Sequence, residues 1–295
     1  MNKKYAPLFE PAYIGKLKIK NKMAMAPMGP IGYADPHYAY NQRLQDYYVE
    51  RAKGGIGLII TGVTTVNVDV EGIEAPGMPC VTKCPKAFVH NASQMNERIH
   101  AYGTKIFLQM TANAGRSTMP GMVKNMIAPS AQGNRFDPSV QHREMKKEEI
   151  AQYTKDFVKG AMIAKRAGFD GVEIHAVHEG YLLDQFAIAI YNHREDEYGG
   201  SLENRLRFAT DIVKGIKKAC GQDFPVSLRF SLKSCMKALR QGGLPGEEYE
   251  EAGRDIEEGV AAAKILVAAG YDALNVDAGT YDSWYWNHPP MYFEE

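Results

Sequence analysis

Three stretches of the chain repeat one theme. RAKGGIGLIITGVT (51–64), KRAGFDGVEIHAV (165–177) and LVAAGYDALNVDAG (266–279) each leave an amphipathic helix through glycine and enter a short apolar strand that ends in small or polar residues. Recurrence of helix, glycine and strand marks stacked βα units. Two strands of the same character, KIFLQMT (105–111) and FPVSLRFS (224–231), lie between them, and KMAMAPMG (22–29) lies ahead, which makes six. Helical periodicity separates the strands over 42–54, 86–102, 147–167, 201–220 and 256–269. Alternating βα units demand a parallel sheet, either doubly wound or closed into a barrel.

Two features favour the barrel. No G-x-G-x-x-G follows the first strand, as a dinucleotide-binding open sheet would require. Side chains alternate across a strand, so Gln109 shares a face with Phe107, Glu173 with His175 and Val177, Arg229 with Ser227, and Asn275 with Asp277. The opposite face carries Ile106, Leu108, Val172, Ile174, Val226, Leu228, Phe230, Leu274 and Val276. One face is thus apolar throughout, as helix cover requires, and the other gathers polar tips toward the strand C-terminal ends, where a (β/α)8 barrel places its catalytic ring. A polar network that only satisfies itself inside the barrel is the alternative; burying an unpaired amide or charge there costs about 2–7 kcal/mol.

The expected fold is α/β, a (β/α)8 TIM barrel incomplete at the C-terminus, with about six βα units present and long insertions at 112–146 and 178–200. A full barrel takes roughly 250 residues without insertions. Residues 1–295 are therefore expected to form one barrel domain, the N-terminal part of a longer chain, with open edges at the first and sixth strands.

Composition narrows the partners. Lys plus Arg and Asp plus Glu number 35 each, and no basic block or aromatic-basic stripe occurs, so nucleic acid is not expected. No run approaches the roughly 18 apolar residues of a membrane span, and MNKKYAPLFEP lacks the apolar core of a secretory signal. A cytoplasmic protein with a small-molecule partner is expected, and an oligomer is compatible with the sequence. Cys80, Cys84, Cys220 and Cys235 are scattered, with one C-x3-C spacing and no second pair, and read as reduced thiols.

The stretch EIHAVHEGYLLDQF (173–186) places two glutamates, two histidines and a tyrosine at the end of a buried strand. Together with NHREDEYGGSLENRLRF (192–208) and DFPVSLRFS (223–231), it resembles the flavin-binding barrel of the old yellow enzyme family. The similarity is greatest to the branch holding 2,4-dienoyl-CoA reductase and, above all, 2-enoate reductase. MAPMGPIGYAD, YYVERAKGGIGLIITGVT, KIFLQM and GYDALNVDAGTYDSWYWNHPPMY extend it over essentially the whole chain.

That resemblance implies an NADH-dependent ene-reductase that binds FMN across the barrel mouth and reduces the activated C=C bond of α,β-unsaturated carboxylates. Pro27, Met28 and Gly29 match the backbone segment against the isoalloxazine edge, although APMG alone reads as a Pro-Gly turn. Gly62 matches a position where a small residue lets second-strand backbone reach the ring, with ordinary close packing as the alternative. Gln109 matches a glutamine on the pyrimidine side, where an amide both donates and accepts. Arg229 matches an arginine that stabilises charge on the reduced ring; from the residues alone it reads as a partner for Glu173, and the two roles are compatible.

His175 and His178 match a His-x-x-His pair that donates hydrogen bonds to the substrate oxygen on which enolate charge gathers, and a bound carboxylate favours a cationic imidazole there. Tyr181 matches the tyrosine that protonates the α-carbon. This chain departs from the branch pattern by carrying both His178 and Glu179 before Gly180 and Tyr181. Trp284 and His288, in SWYWNHPP, resemble a substrate lid.

The resemblance further implies a downstream [4Fe-4S] centre with FAD- and NAD(P)-binding domains, none of whose ligands lie in this sequence; the phosphate site expected after the seventh and eighth strands is missing too, so weak or no flavin retention by these 295 residues alone is expected. A metal-dependent hydrolase on the same barrel is the rival enzyme class, and an inactive truncated fragment is the noncatalytic reading. His175, His178 and Glu179 could supply three ligands, but their spacing is not H-E-x-x-H and they do not share a helix face, so no metal is assigned.

Overall fold

In a computed structural model of the chain, residues 3–29, 32–73, 77–176, 181–244 and 246–283 are described. The six expected strands form at Ala24–Met25 (β1), Leu58–Ile60 (β2), Lys105–Thr111 (β3), Gly171–Ala176 (β4), Val226–Ser231 (β5) and Ala273–Asp277 (β6). All pair in parallel, and each lies beside its predecessor in sequence, in the order β6-β5-β4-β3-β2-β1. The order never reverses, so there is no switch point of the doubly wound kind, and the sheet advances in one direction as a barrel wall does. Thr64–Thr65 extends the second strand against the end of β3.

The helices between the strands are Gln42–Lys53 (α1), Pro85–His100 (α2), Lys147–Arg166 (α3), Arg207–Cys220 (α4) and Ile256–Ala269 (α5). Their starts follow from local chemistry. The Asn41 side chain accepts from the Leu44 N–H, Asp255 accepts from Glu258 N–H at 2.8 Å, and α2 opens on a proline. Their stops explain the repeated glycine. Gly168 (φ +84°) and Gly270 (φ +125°) turn the chain through the left-handed region between helix and strand.

The aspartate two residues after each of these glycines performs one task twice. Asp170 accepts from the backbone N–H of Ile106 at 2.9 Å and from Lys105 Nζ at 2.8 Å, with His100 Nε2 at 2.7 Å. Asp272 accepts from the N–H of Val226 at 2.8 Å and from Lys217 Nζ at 2.6 Å. Each carboxylate ties the start of its own strand to the start of the preceding one in sequence, and so holds the register of the pair.

The apolar face lies where the alternation places it. Ile106, Leu108, Val172, Ile174, Val226, Leu228 and Phe230 are buried against helix residues such as Phe88, Phe157 and Ile212. Val276 departs from this expectation and is 53% exposed. Leu274, on the same face of β6, is only partly buried against that core, and Val260 and Val267 of α5 are exposed. An apolar hollow of about 460 Å³ lies there, against Leu232, Val260, Ala263 and Val267.

A hairpin that the periodicity did not reveal, Ala12–Ile14 with Leu17–Ile19, packs beneath the sheet. Ile19 joins Leu58, Ile60 and Phe107 in a separate apolar cluster that plugs the N-terminal end of the barrel. The 112–146 insertion carries three short strands, Ile127–Ala128, Gln132–Gly133 and Gln141–Glu144. All four cysteines are free thiols. Among the described residues no helix is long and apolar enough to cross a membrane.

The Asp170 lock gives a prediction with a sign. Burial raises the Asp170 pKa, but the hydrogen bonds from His100, Lys105 and Ile106 outweigh it, and the carboxyl is held below its ordinary value. The group therefore contributes stability that is full above the unfolded pKa of about 4 and is lost as pH falls through the lower folded value. Asp170→Asn should lower the unfolding free energy by about 1.5–3 kcal/mol at neutral pH and flatten its acid dependence, measured by denaturant titration across pH.

Candidate active site

Inward-facing side chains of β3 to β6 meet in register. Glu173 stands opposite Gln109 on one side and Ser227 on the other, and Arg229 stands between His175 and Asn275. The lower tier is a closed hydrogen-bond set. Glu173 is fully buried and accepts from Gln109 Nε2 at 2.9 Å, Asn275 Nδ2 at 3.1 Å and Ser227 Oγ at 3.3 Å. Burial pushes its carboxyl up to about 7, against the pull of these donors and of Arg229.

Arg229 does not pair with Glu173, contrary to the reading from the residues alone. Its Nε donates to Asp277 Oδ2 at 2.6 Å and its Nη1 reaches the carbonyl of Pro27 at 3.4 Å. Asp277 sits one alternation further along β6 and meets the guanidinium side-on, while Glu173 is already filled by three neutral donors. The Pro27 contact joins β5 to the end of β1 across the mouth, which shows how far the six-stranded wall curls.

Above this tier a cavity of about 240 Å³ opens, lined by Pro27, Gly29, Val63, Gln109, His175, Tyr181, Arg229 and Tyr281. Six of the residues expected from the sequence thus come together: Pro27, Gly29, Gln109, His175, Tyr181 and Arg229. Met28 is exposed and does not line the cavity. Gly62 is buried and donates its N–H to the Tyr48 hydroxyl at 2.7 Å, and the neighbouring Val63 faces the cavity in its place. His178, Trp284 and His288 lie outside the described residues, as does Glu179.

Tyr181 begins the short helix Leu182–Ala187, and the Leu182 N–H donates to the carbonyl of Asn113 at 3.1 Å. The His175 ring meets Tyr181 edge to face, with centroids 3.8 Å apart and planes at 86°. Burial drives the Tyr181 hydroxyl well above its ordinary pKa, so it holds its proton at neutral pH.

Tyr281 is the residue the sequence reading missed. It lines the cavity beside Tyr181, and each hydroxyl shifts the ionisation of the other. The signal was present: Thr280 and Tyr281 follow directly on the glycine that ends the sixth strand, where barrel strands deliver functional side chains.

A second hollow of about 280 Å³ lies below, lined mainly by Ala24, Leu58, Ile60, Phe107 and Ala273, with Glu173 also at its edge. It carries few polar groups, and the polar mouth is the better candidate site.

Comparison with known proteins agrees with this fold. The profile of the NADH:flavin oxidoreductase / NADH oxidase family matches residues 7–265. Cinnamate reductase of Clostridium sporogenes is 60% identical over 293 residues, covering 99% of this chain and 44% of the relative. NADH oxidase of Thermoanaerobacter brockii is 38% identical over 291 residues, covering 98% and 41%. This chain therefore spans less than half the length of these two relatives. Among solved structures, a 2-naphthoyl-CoA reductase in complex with 2-naphthoyl-CoA superposes with a TM-score of 0.80 at 27% identity, covering 95% of this chain and 41% of that one. An old yellow enzyme homologue from Zymomonas mobilis gives 0.74 at 30% identity, covering 91% and 72%. Family profile, curated relatives and one-directional parallel wall all agree: the chain belongs to the NADH:flavin oxidoreductase / NADH oxidase family, built on an incomplete (β/α)8 barrel.

Proposed function

We propose that this chain is the FMN-binding barrel of an ene-reductase that uses NADH to reduce the activated C=C bond of α,β-unsaturated carboxylates. One observation carries the reading: Gln109, His175, Tyr181 and Arg229, delivered by separate strand ends, converge on one cavity at the barrel mouth. The 60% identity to cinnamate reductase supports an enoate as substrate, and the neighbouring 2-naphthoyl-CoA complex supports a planar conjugated acyl group. The comparisons do not favour a metal-dependent hydrolase.

The residues present fit the ring of a flavin. The backbone at Gly29 faces the cavity without a side chain, and a Cβ there would meet Val63 Cγ1 at 3.3 Å. The Gln109 amide suits an edge that both donates and accepts, and the Arg229 guanidinium suits an edge of carbonyl and imine acceptors. When bound, FMN would supply the hydride that adds to the β-carbon of the alkene.

The chain's own groups account for the rest. His175, joined in this reading by His178, holds the carboxylate oxygen where enolate charge gathers, and loss of one such donor typically costs about 2.7–4 kcal/mol of transition-state stabilisation. Tyr181 holds the proton destined for the α-carbon; its raised pKa keeps it an acid until that carbon becomes basic. Arg229 keeps a fixed positive charge in place through Asp277 and the Pro27 carbonyl.

We also infer that further βα units cover β6 and α5, whose outward Val260, Val267 and Val276 stay exposed, and that iron-sulfur and FAD/NAD(P)-binding domains belong to the same protein. An open strand edge beside apolar surface is the arrangement natural sheets avoid.

Two measurements test the reading on the full-length protein. Visible flavin absorbance should be bleached by NADH and restored by cinnamate or another 2-enoate; a flavin that NADH reduces but no enoate reoxidises would refute it. Tyr181→Phe should leave reduction by NADH intact and slow reoxidation by the enoate roughly 10²–10⁴-fold in stopped-flow. Unchanged reoxidation would remove Tyr181 from the acid role.

A further inference from the structure

We propose that Tyr281 is the proton relay behind Tyr181, so that the proton given to the substrate is replaced through a chain of two tyrosines and not by water directly. The inference rests on the ene-reductase reading. Its ground is geometric. Both tyrosines line the same cavity, one from the loop after β4 and the other from the loop after β6, and each is close enough to shift the other's ionisation.

Tyr281 is also held firmly for a loop residue. Arg135 Nη2 donates to the Tyr281 carbonyl. Asp282, the next residue, is fully buried and accepts from Arg116 Nη1 at 2.5 Å, Tyr191 Oη at 2.8 Å and the Arg240 N–H at 2.8 Å. On the other side the Thr280 N–H donates to Ser283 Oγ at 2.9 Å, and Ser283 Oγ donates to the Ser234 carbonyl at 2.9 Å. A turn clamped on both flanks fixes where the Tyr281 side chain stands.

The proton accounting closes. The α-carbon of the enolate forms a C–H bond as the Tyr181 O–H breaks, and in the same step the Tyr181 O–H re-forms as the Tyr281 O–H breaks, so the bonding pair is left on Tyr281. Tyr281 then regains its proton from water at the mouth, releasing hydroxide. Nothing is oxidised or reduced in these steps. The direction of transfer has a physical reason. Tyr181 gains nothing to offset its burial beyond the pull of Arg229, and its neighbour's hydroxyl works against its ionisation. Burial also raises Tyr281, but the Tyr181 hydrogen bond and the charges of Arg135 and Arg229 oppose that rise, so negative charge settles more readily on Tyr281.

The test uses full-length, flavin-loaded enzyme reduced by NADH and reoxidised by cinnamate in mixtures of light and heavy water. The wild type should give a curved proton inventory, because two protons move. Tyr281→Phe should give a straight one and reoxidise about 10²-fold more slowly, while ferricyanide, an acceptor that needs no carbon protonation, oxidises variant and wild type alike. A second readout needs no turnover. In NMR of protein labelled at tyrosine Cζ, the Tyr281 resonance should titrate at higher pH in Tyr181→Phe, because the donor that favours its phenolate is gone.

A straight wild-type inventory, an unchanged rate in Tyr281→Phe, equal slowing with cinnamate and ferricyanide, or an unmoved Tyr281 titration would each overturn the relay. If no 2-enoate reoxidises the wild type, the ene-reductase reading itself fails, and the two failures are told apart.

Discussion

Register is the constraint from which the rest of this structure follows. In a strand the side-chain period is two, so a slip of one residue would carry Gln109, His175 or Arg229 from the axis to the helix side and put an isoleucine or leucine in its place. The sheet has no hairpins to set its pairing, since parallel strands are joined through helices. Asp170 and Asp272 supply the missing device, each gripping an N–H at the start of the preceding strand and a lysine ammonium. The chemistry at the C-terminal mouth is thus fixed by ion pairs at the opposite end of the same strands. The division suits a barrel, whose N-terminal face serves stability and whose C-terminal face serves function.

The tiers above that lock show how a barrel accommodates polar groups at different depths. Glu173 lies deepest and is satisfied by three uncharged donors from three strands, which spares the site an unpaired buried charge. In this tier the self-satisfying network that the alternation left open is what forms. One step nearer the mouth, at His175 and Arg229, side chains face a cavity and the network opens. Gln109 belongs to both tiers. Its amide nitrogen is committed to Glu173, so the orientation of the amide toward the cavity follows from the carboxylate beneath it.

What could be read from the sequence, and what could not, divides along the same physics. Strand positions and the facing of most side chains are local properties, set by alternation and by the glycines that part helix from strand, and they were legible. The stagger between neighbouring strands is not local. Arg229 and Glu173 share the inward face, yet Arg229 takes Asp277, because the choice depends on how far β6 is advanced relative to β5. Gly62 was expected at the ring because it is small; its N–H is instead held by Tyr48 of α1, a contact 14 residues distant that no spacing rule shows. The plug hairpin was missed because strands of three residues carry too little alternation to stand out.

The 112–146 insertion, which read only as an interruption of the barrel, is the platform that ties the mouth together. At its start Asn113, itself in a left-handed turn (φ +63°) and hydrogen-bonded to buried Glu71, holds the backbone beside Tyr181. Arg116 and Arg135, from within the insertion, hold the backbone and the neighbour of Tyr281. Two loops distant in sequence are therefore positioned by one segment that follows β3. The Arg116–Asp282 pair is buried on both sides, at 3% and 0% side-chain exposure, so breaking it would strand a charge at a cost of about 3–5 kcal/mol. A pair of that kind contributes little net stability compared with an apolar replacement, and its value here is geometric. It fixes where Tyr281 stands relative to Tyr181, as the proposed relay requires.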